Sequence, residues 1–240
     1  EASRCEIYTD VDGIFTADPR RVTNACMLDE IGFEEMLELA SYGAKFPPQA
    51  IEMALVYDIP ILVASSSSER SGTLIHKESN VNTPVGQIRN RARAIATDSN
   101  VAKITARGLK DHIGLQAKIF GPLASADISV DMIVQNASVN GLTDLTFTVA
   151  RNDLTSAMEI TNPVACSLGA VSVTKSSDLA KVTVVGTGMQ DVPGYASRMF
   201  QALYEDGIAI ELISTSEIRI TCVVKEIRLN DAARALHKAF

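Results

Sequence analysis

The chain has 240 residues, with 22 Lys and Arg against 29 Asp and Glu and a formal charge of −7. Hydrophobic residues make up 46% and charged residues 21%, values that exclude a disordered chain, and the scatter of Lys and Arg excludes electrostatic capture of nucleic acid. No apolar run approaches the roughly 20 residues that cross a bilayer, and Cys5, Cys26, Cys166 and Cys222 lack the paired spacing of zinc or redox sites, so no metal site is expected.

The cysteines read as buried or idle thiols of a cytoplasmic protein. The first predicted element is a strand at Cys5-Glu6-Ile7-Tyr8, reached almost at once from Glu1 and without an initiator Met, so further residues are expected upstream. It runs into Tyr8-Thr9-Asp10-Val11-Asp12-Gly13-Ile14-Phe15-Thr16-Ala17-Asp18-Pro19-Arg20, where three carboxylates, hydroxyls and a glycine turn crowd into thirteen residues. That density suits a polar site or a turn with helix-capping acids, and it lacks the acid alternation and terminal Glu of a calcium loop. Phe33 to Ala40 and Gln49 to Tyr57 read as helices before the buried strand Ile59 to Ala64, an α/β arrangement. Ser65 to Ser68, Gly72 and the polar stretch from Glu78 to Gln87 read as the exit from this domain, with the linker at 77–91.

The second half repeats itself. Ala102-Lys103-Ile104-Thr105-Ala106-Arg107-Gly108 returns as Ala180-Lys181-Val182-Thr183-Val184-Val185-Gly186, and each run leads through a turn closed by Gly114 or Gly194 into an amphipathic helix. The strands Ile128 to Ile133 and Ile208 to Ile213 then match, the second turn being two residues longer. Third strands, Thr143 to Val149 and Ile218 to Val224, lead into polar starts and second helices. Each unit is therefore β-α-β-β-α, one strand short of a ferredoxin-like βαββαβ sandwich. Two runs are left to complete them, Arg93 to Ala96 and Ala170 to Val173, and an interleaved pair follows if one crosses to the other unit. The expected divisions are 1–76, a first repeat at 92–168 and a second at 169–240, with strand 92–97 open to either repeat. Repeats of roughly 70–80 residues have thin cores alone, which favours packing side by side.

Both turns carry glycine with an acid, Asp111 in the first and Asp191 in the second. Glycine lets successive N–H groups converge, and the helix start adds partial positive charge, a setting for a ligand carboxylate. Asp111 or Asp131 would take the ligand's ammonium, making an amino-acid site; the alternative is a tight turn whose Asp caps a helix. Gly186-Thr187-Gly188 lacks the spacing of a nucleotide loop. His76, His112 and His237 are isolated and carry no catalytic assignment.

These repeats resemble ACT domains, those of aspartate kinases in particular, through Val130-Asp131-Met132-Ile133-Val134-Gln135-Asn136, Thr143-Asp144-Leu145-Thr146-Phe147-Thr148 and Ile210-Glu211-Leu212-Ile213-Ser214-Thr215-Ser216-Glu217-Ile218-Arg219. The resemblance implies feedback by lysine and/or threonine bound at the interface of paired units. Asp111, Gly114, Gln116, Asp131, Gln135 and Asn136 would line the pocket on the first unit, and Tyr195, Ala196, Ile210, Ser216 and Glu217 on the second. The family's Pro before the closing glycine is Ile113 in the first turn and Pro193 in the second.

The Tyr8 to Arg20 segment resembles the nucleotide-binding strand and loop of the amino acid kinase family. That resemblance implies ATP with Mg2+, contacted by Thr9, Asp10, Phe15, Arg20 and Lys45, although Phe46-Pro47-Pro48 replaces the run that usually follows the lysine. It implies an α/β kinase-domain tail joined to two ACT domains, aspartate as substrate, and homodimers or assembly with a complete kinase chain through the ACT domains. No catalytic residue is carried over, because the resemblance begins midway through the family's catalytic domain. The chain is expected to be inactive alone, with a regulatory subunit or a structural dimerisation module as the alternatives. Replacing Asp131 with Ala is expected to weaken effector coupling and spare the ATP contacts.

Overall fold

The computed structural model describes residues 2–44, 46–68, 70–77, 92–189 and 193–240, and these divide into two compact units, 1–98 with 181–240, and 99–180. Lys45 and nearly all of the expected linker lie outside the described residues.

The first unit opens with strand β1 (Cys5–Thr9), followed by β2 (Glu30–Gly32), helix α1 (Phe33–Ser41), helix α2 (Pro48–Tyr57), β3 (Ile61–Ser65) and β4 (Thr73–His76). The sheet order is β1-β3-β4-β2, with β1 and β3 parallel from Cys5 beside Ile61 to Thr9 beside Ser65. The apolar side of α1, Phe33, Met36 and Leu39, packs with Ile51, Ile61, Val63 and Ile75 into one buried cluster. Ser65 to Ser68 and Gly72, read from the sequence as the exit from this domain, instead border β3 and β4 of its sheet. The Ser66 amide donates to Thr9 O at 2.9 Å, and β4 then runs antiparallel to β3. Gly72 makes this return possible, since it sits at φ +76° and a Cβ there would meet Val63 O at 2.4 Å.

Strand β5 is a single run, Ala94–Lys110, and the unit boundary cuts it after Asp98. Helix α3 (Leu115–Ser125), β6 (Val130–Gln135), β7 (Leu142–Val149) and α4 (Leu154–Ser167) follow, then β8 (Ser172–Val185), which the boundary cuts after Ala180. The chain ends with α5 (Tyr195–Glu205), β9 (Ile210–Thr215), β10 (Arg219–Lys225) and α6 (Leu229–Ala239). Within 99–180 the strands lie in the order β6-β7-β5-β8, and the Val171 amide donates to Arg107 O at 2.8 Å. Within the other unit β5, β8, β10 and β9 follow one another, and the Arg93 amide donates to Val185 O at 2.7 Å. The segment before the first repeat thus pairs with the second repeat's strand, while Ser172 to Ala180 completes the first. The helices bury residues three or four apart: Leu115, Ile119 and Leu123 in α3, Met199 and Leu203 in α5, Leu229, Ala232, Ala233 and Leu236 in α6.

All four cysteines are free; Cys222 is buried, and Cys5, Cys26 and Cys166 are exposed. Burial pushes the Cys222 thiol up to about 12, so it stays protonated at neutral pH. No helix among the described residues is long and apolar enough to cross a membrane.

Candidate effector and nucleotide sites

In the unit 99–180, Gly114 holds φ +88° immediately before α3, the left-handed conformation that turns the chain from β5 into the helix. Gly194 does the same before α5 at φ +108°, so Ile113 in place of Pro leaves the closure of the first turn intact; Ile113 itself is fully exposed. The Asp111 amide donates to Gly141 O at 2.9 Å, which ties the turn to the hairpin between β6 and β7. Gln116 Nε2 donates to Gln135 Oε1 at 2.6 Å, and Thr143 Oγ1 donates to Asn136 O at 2.8 Å. Asp111, Gly114, Gln116, Gln135 and Asn136 therefore gather at one end of this unit, where β5 and β6 both finish. Asp131 does not join them. It stands at the start of β6, four residues before Gln135, about 13 Å away along a strand.

The second repeat has the same layout. Tyr195 and Ala196 open α5, and the Ser216 amide donates to Arg219 O at 2.9 Å in the hairpin that carries Ser216 and Glu217. Ile210 lies at the far end of β9. The Tyr195 ring stacks on Phe240 with centroids 5.8 Å apart, and the Arg198 guanidinium lies 4.8 Å from the Phe240 ring. Asp191 lies outside the described residues.

The nucleotide candidates lie where β1 ends beside β3, the carboxyl edge of two parallel strands, where α/β sheets place ligands. Thr9 Oγ1 accepts from the Val11 amide at 3.0 Å, and Asp10 is exposed. Phe15 is half-buried and bridges to Met27, while Arg20 is exposed next to Asp18. Sequence reasoning missed Asp12, Ser66 and Ser68 at this edge. Ser68 Oγ donates to Asp12 Oδ1 at 2.8 Å, and Arg70 pairs with Asp12 at 3.0 Å. Only the parallel register brings these segments together.

Contacts from the second repeat to the first 98 residues were also invisible in the sequence. His237 Nε2 lies 2.8 Å from Thr16 Oγ1, Arg21 bonds to Asn230, and Arg219 Nε pairs with Glu38 Oε2 at 3.0 Å. Burial holds the His237 imidazole below its ordinary pKa, and its Nδ1 is buried without a hydrogen-bond partner among the described residues. The folded state therefore prefers neutral His237, so its contribution is complete at pH 7.5 and is lost as the pH falls below about 6.5 toward the folded value. Melting temperatures measured from pH 7.5 to 5 should fall, and the His237→Gln variant should show a shallower fall.

Comparison with known proteins matches these parts in turn. The model of the ACT domain matches residues 103–162 and 182–240, and that of the amino acid kinase family matches residues 1–65. A structure of aspartokinase alpha and beta subunits is 42% identical with a TM-score of 0.59, and the match covers 62% of this chain and 99% of that one. The chain belongs to the aspartate kinase family. An aspartokinase of Pseudomonas aeruginosa is 46% identical over all of this chain, which spans 58% of that relative's length. The aspartokinase III of E. coli in complex with aspartate and ADP (R-state) is 30% identical, with a TM-score of 0.79 over 100% of this chain and 52% of its own. In complex with lysine and aspartate (T-state) it matches at 29% identity and 0.73, covering 99% and 52%. As an aspartate kinase relative, the chain joins an amino acid kinase tail to two ACT repeats.

Proposed function

We propose that this chain serves an aspartate kinase that transfers the γ-phosphoryl group of ATP to the β-carboxylate of L-aspartate, under feedback by lysine and/or threonine at the ACT repeats. The carrying observation is the gathering of Asp111, Gly114, Gln116, Gln135 and Asn136 at one end of the first repeat. An acid and three amide side chains there offer acceptors for an ammonium and donors for a carboxylate. Tyr195, Ala196, Ser216 and Glu217 would serve as the corresponding contacts of the second repeat, with Asp131 and Ile210 as the further contacts that motif position implies, and pairing of chains fits the alpha and beta subunits of one relative.

ATP would lie at the carboxyl edge of β1 and β3, with Thr9 and Asp10 at the strand end, Phe15 toward the base, and Arg20 and Lys45 toward the phosphates. The attacking oxygen comes from the aspartate β-carboxylate and ADP leaves; the role of this chain's cations is to hold the transferring phosphates in place. No group of three or more His, Cys, Asp or Glu that could hold a metal occurs among the described residues. Mg2+ is usually held by substrate phosphates with one or two carboxylates, and the exposed Asp10 would be the carboxylate it meets at this edge. When bound it neutralises phosphate charge.

Calorimetry of this chain with lysine, threonine and both together should give saturable binding, and absence of heat in all three would reject the feedback reading. A second reading, a regulatory subunit acting through a complete kinase chain, is favoured by the subunit structure that 62% of this chain matches almost from end to end. An ATP-dependent aspartyl phosphate assay separates the two: turnover by this chain unaided excludes the second.

A further inference from the structure

Glu35 is 0% exposed on a helix whose other buried residues are Phe33, Met36 and Leu39. Its Oε1 accepts two hydrogen bonds from Thr187, from the amide at 2.8 Å and from Oγ1 at 2.9 Å, and its Oε2 lies 3.4 Å from Arg93 Nε. A carboxylate is kept buried only where charge and hydrogen bonds offset several kcal/mol of lost hydration. The two residues that do so here lie at distinct places. Arg93 immediately precedes β5, its amide bonded to Val185 O, and Thr187 opens the turn that leads to α5.

The two repeats differ at this turn. In the first, the Gly108 amide donates to Asp144 Oδ1 at 2.8 Å, a carboxylate from the repeat's own β7. In the second, the Gly186 amide goes to Ile218 O, and the carboxylate received by the next amide comes from α1 in the kinase-family segment. One helical turn along α1, Glu38 pairs with Arg219 at 3.0 Å, and the Arg219 guanidinium lies 4.4 Å from the Tyr42 ring. Arg219 closes the hairpin that carries Ser216 and Glu217. Helix α1 therefore touches both loops of the second repeat. It follows directly from β2, which pairs with β4, and Thr73 of β4 accepts from the Ile14 amide at 2.8 Å inside the loop assigned to ATP.

We propose that Glu35 is a positioning residue, a built-in carboxylate ligand of the Thr187 turn, which makes the second repeat the one that transmits effector occupancy to α1 and onward to the nucleotide loop. This rests on the feedback reading above. The test is hydrogen exchange of the 240-residue chain with and without saturating lysine plus threonine, with calorimetry of the same samples, on the parent chain, Glu35→Gln and the milder Thr187→Ala. In the parent, the effectors should change exchange of α1 and of residues 9–20 by about fivefold or more, the scale of a typical coupling. Glu35→Gln should retain effector affinity within about threefold yet lose that response, and Thr187→Ala should reduce it while keeping the parent's melting behaviour. A merely structural Glu35 would raise exchange without ligand and leave the ligand-induced difference intact, which overturns the proposal. So would a parent that binds effector with no response in α1. A parent that binds neither amino acid removes the feedback reading and this inference with it.

Discussion

Replacing Phe147 with alanine should cost the unit 99–180 about 3–5 kcal/mol, the range for emptying a buried aromatic site. Phe147 is 0% exposed in the middle of β7, paired with Ile104 of β5 on one side and Ile133 of β6 on the other. Its ring meets Phe120 of α3 edge-on, with centroids 5.3 Å apart and planes at 78°. Such an edge contact adds about 0.5–1.5 kcal/mol beyond the area it buries. The loss falls on a unit with its own core: Phe147 packs with Ile104, Ile119, Leu123 and Leu145, while Phe33, Ile51 and Ile75 form a separate cluster. Denaturant unfolding of the variant should consequently show an early transition that the parent lacks. The proposed effector end should suffer as well, because Gln135 is held beside Leu145, two residues from the site emptied by the substitution. A stability loss under about 1 kcal/mol would contradict this account of the core.

Sequence patterning carried the elements that depend on local order. Helix α1 and the helices that open each repeat follow the spacing of their apolar residues, and the observed ends of α1 and β7 lie within one residue of the expected Phe33 to Ala40 and Thr143 to Val149. The length of β5 was hidden for a physical reason. Asp98, Ser99 and Asn100 interrupt its apolar alternation and read as a break, yet their partners come from far along the chain. Asp98 pairs with Lys181 at 3.9 Å, and Asn100 Oδ1 accepts from the Arg151 amide at 3.0 Å. Glu35 was hidden in the same way. It falls one helical turn before Leu39, at the margin of the apolar face, and its burial is explained by partners distant along the chain, Thr187 and Arg93. At the nucleotide edge, Thr9 and Asp10 could be placed from their motif, but Ser66 and Ser68 read as linker because the parallel pairing of β1 and β3 is a long-range fact. In the effector set, motif position assigned Asp131 and Gln135 to one pocket lining, whereas they stand near opposite ends of β6.

On the proposed feedback reading, that separation leaves Asp111 as the carboxylate that meets the ligand at this end of the first repeat. Its amide is already committed to Gly141 O, so what it offers a ligand is the exposed side chain, and alanine there leaves the backbone bond in place. Losing a hydrogen bond to a charged group removes about 1.5–3 kcal/mol, so Asp111→Ala should weaken lysine or threonine binding by about 10- to 150-fold. Calorimetry on a variant with the parent's melting temperature would measure it. Gln116 and Gln135 already bond to each other at 2.6 Å, so replacing either with alanine frees the other to rearrange and should cost less. Asp131, about 13 Å along β6, is beyond the reach of the same ammonium within this unit, and Asp131→Ala should also cost less than Asp111→Ala. Equal losses at Asp111 and Asp131 would mean that the zwitterion does not sit at the end where β5 and β6 finish.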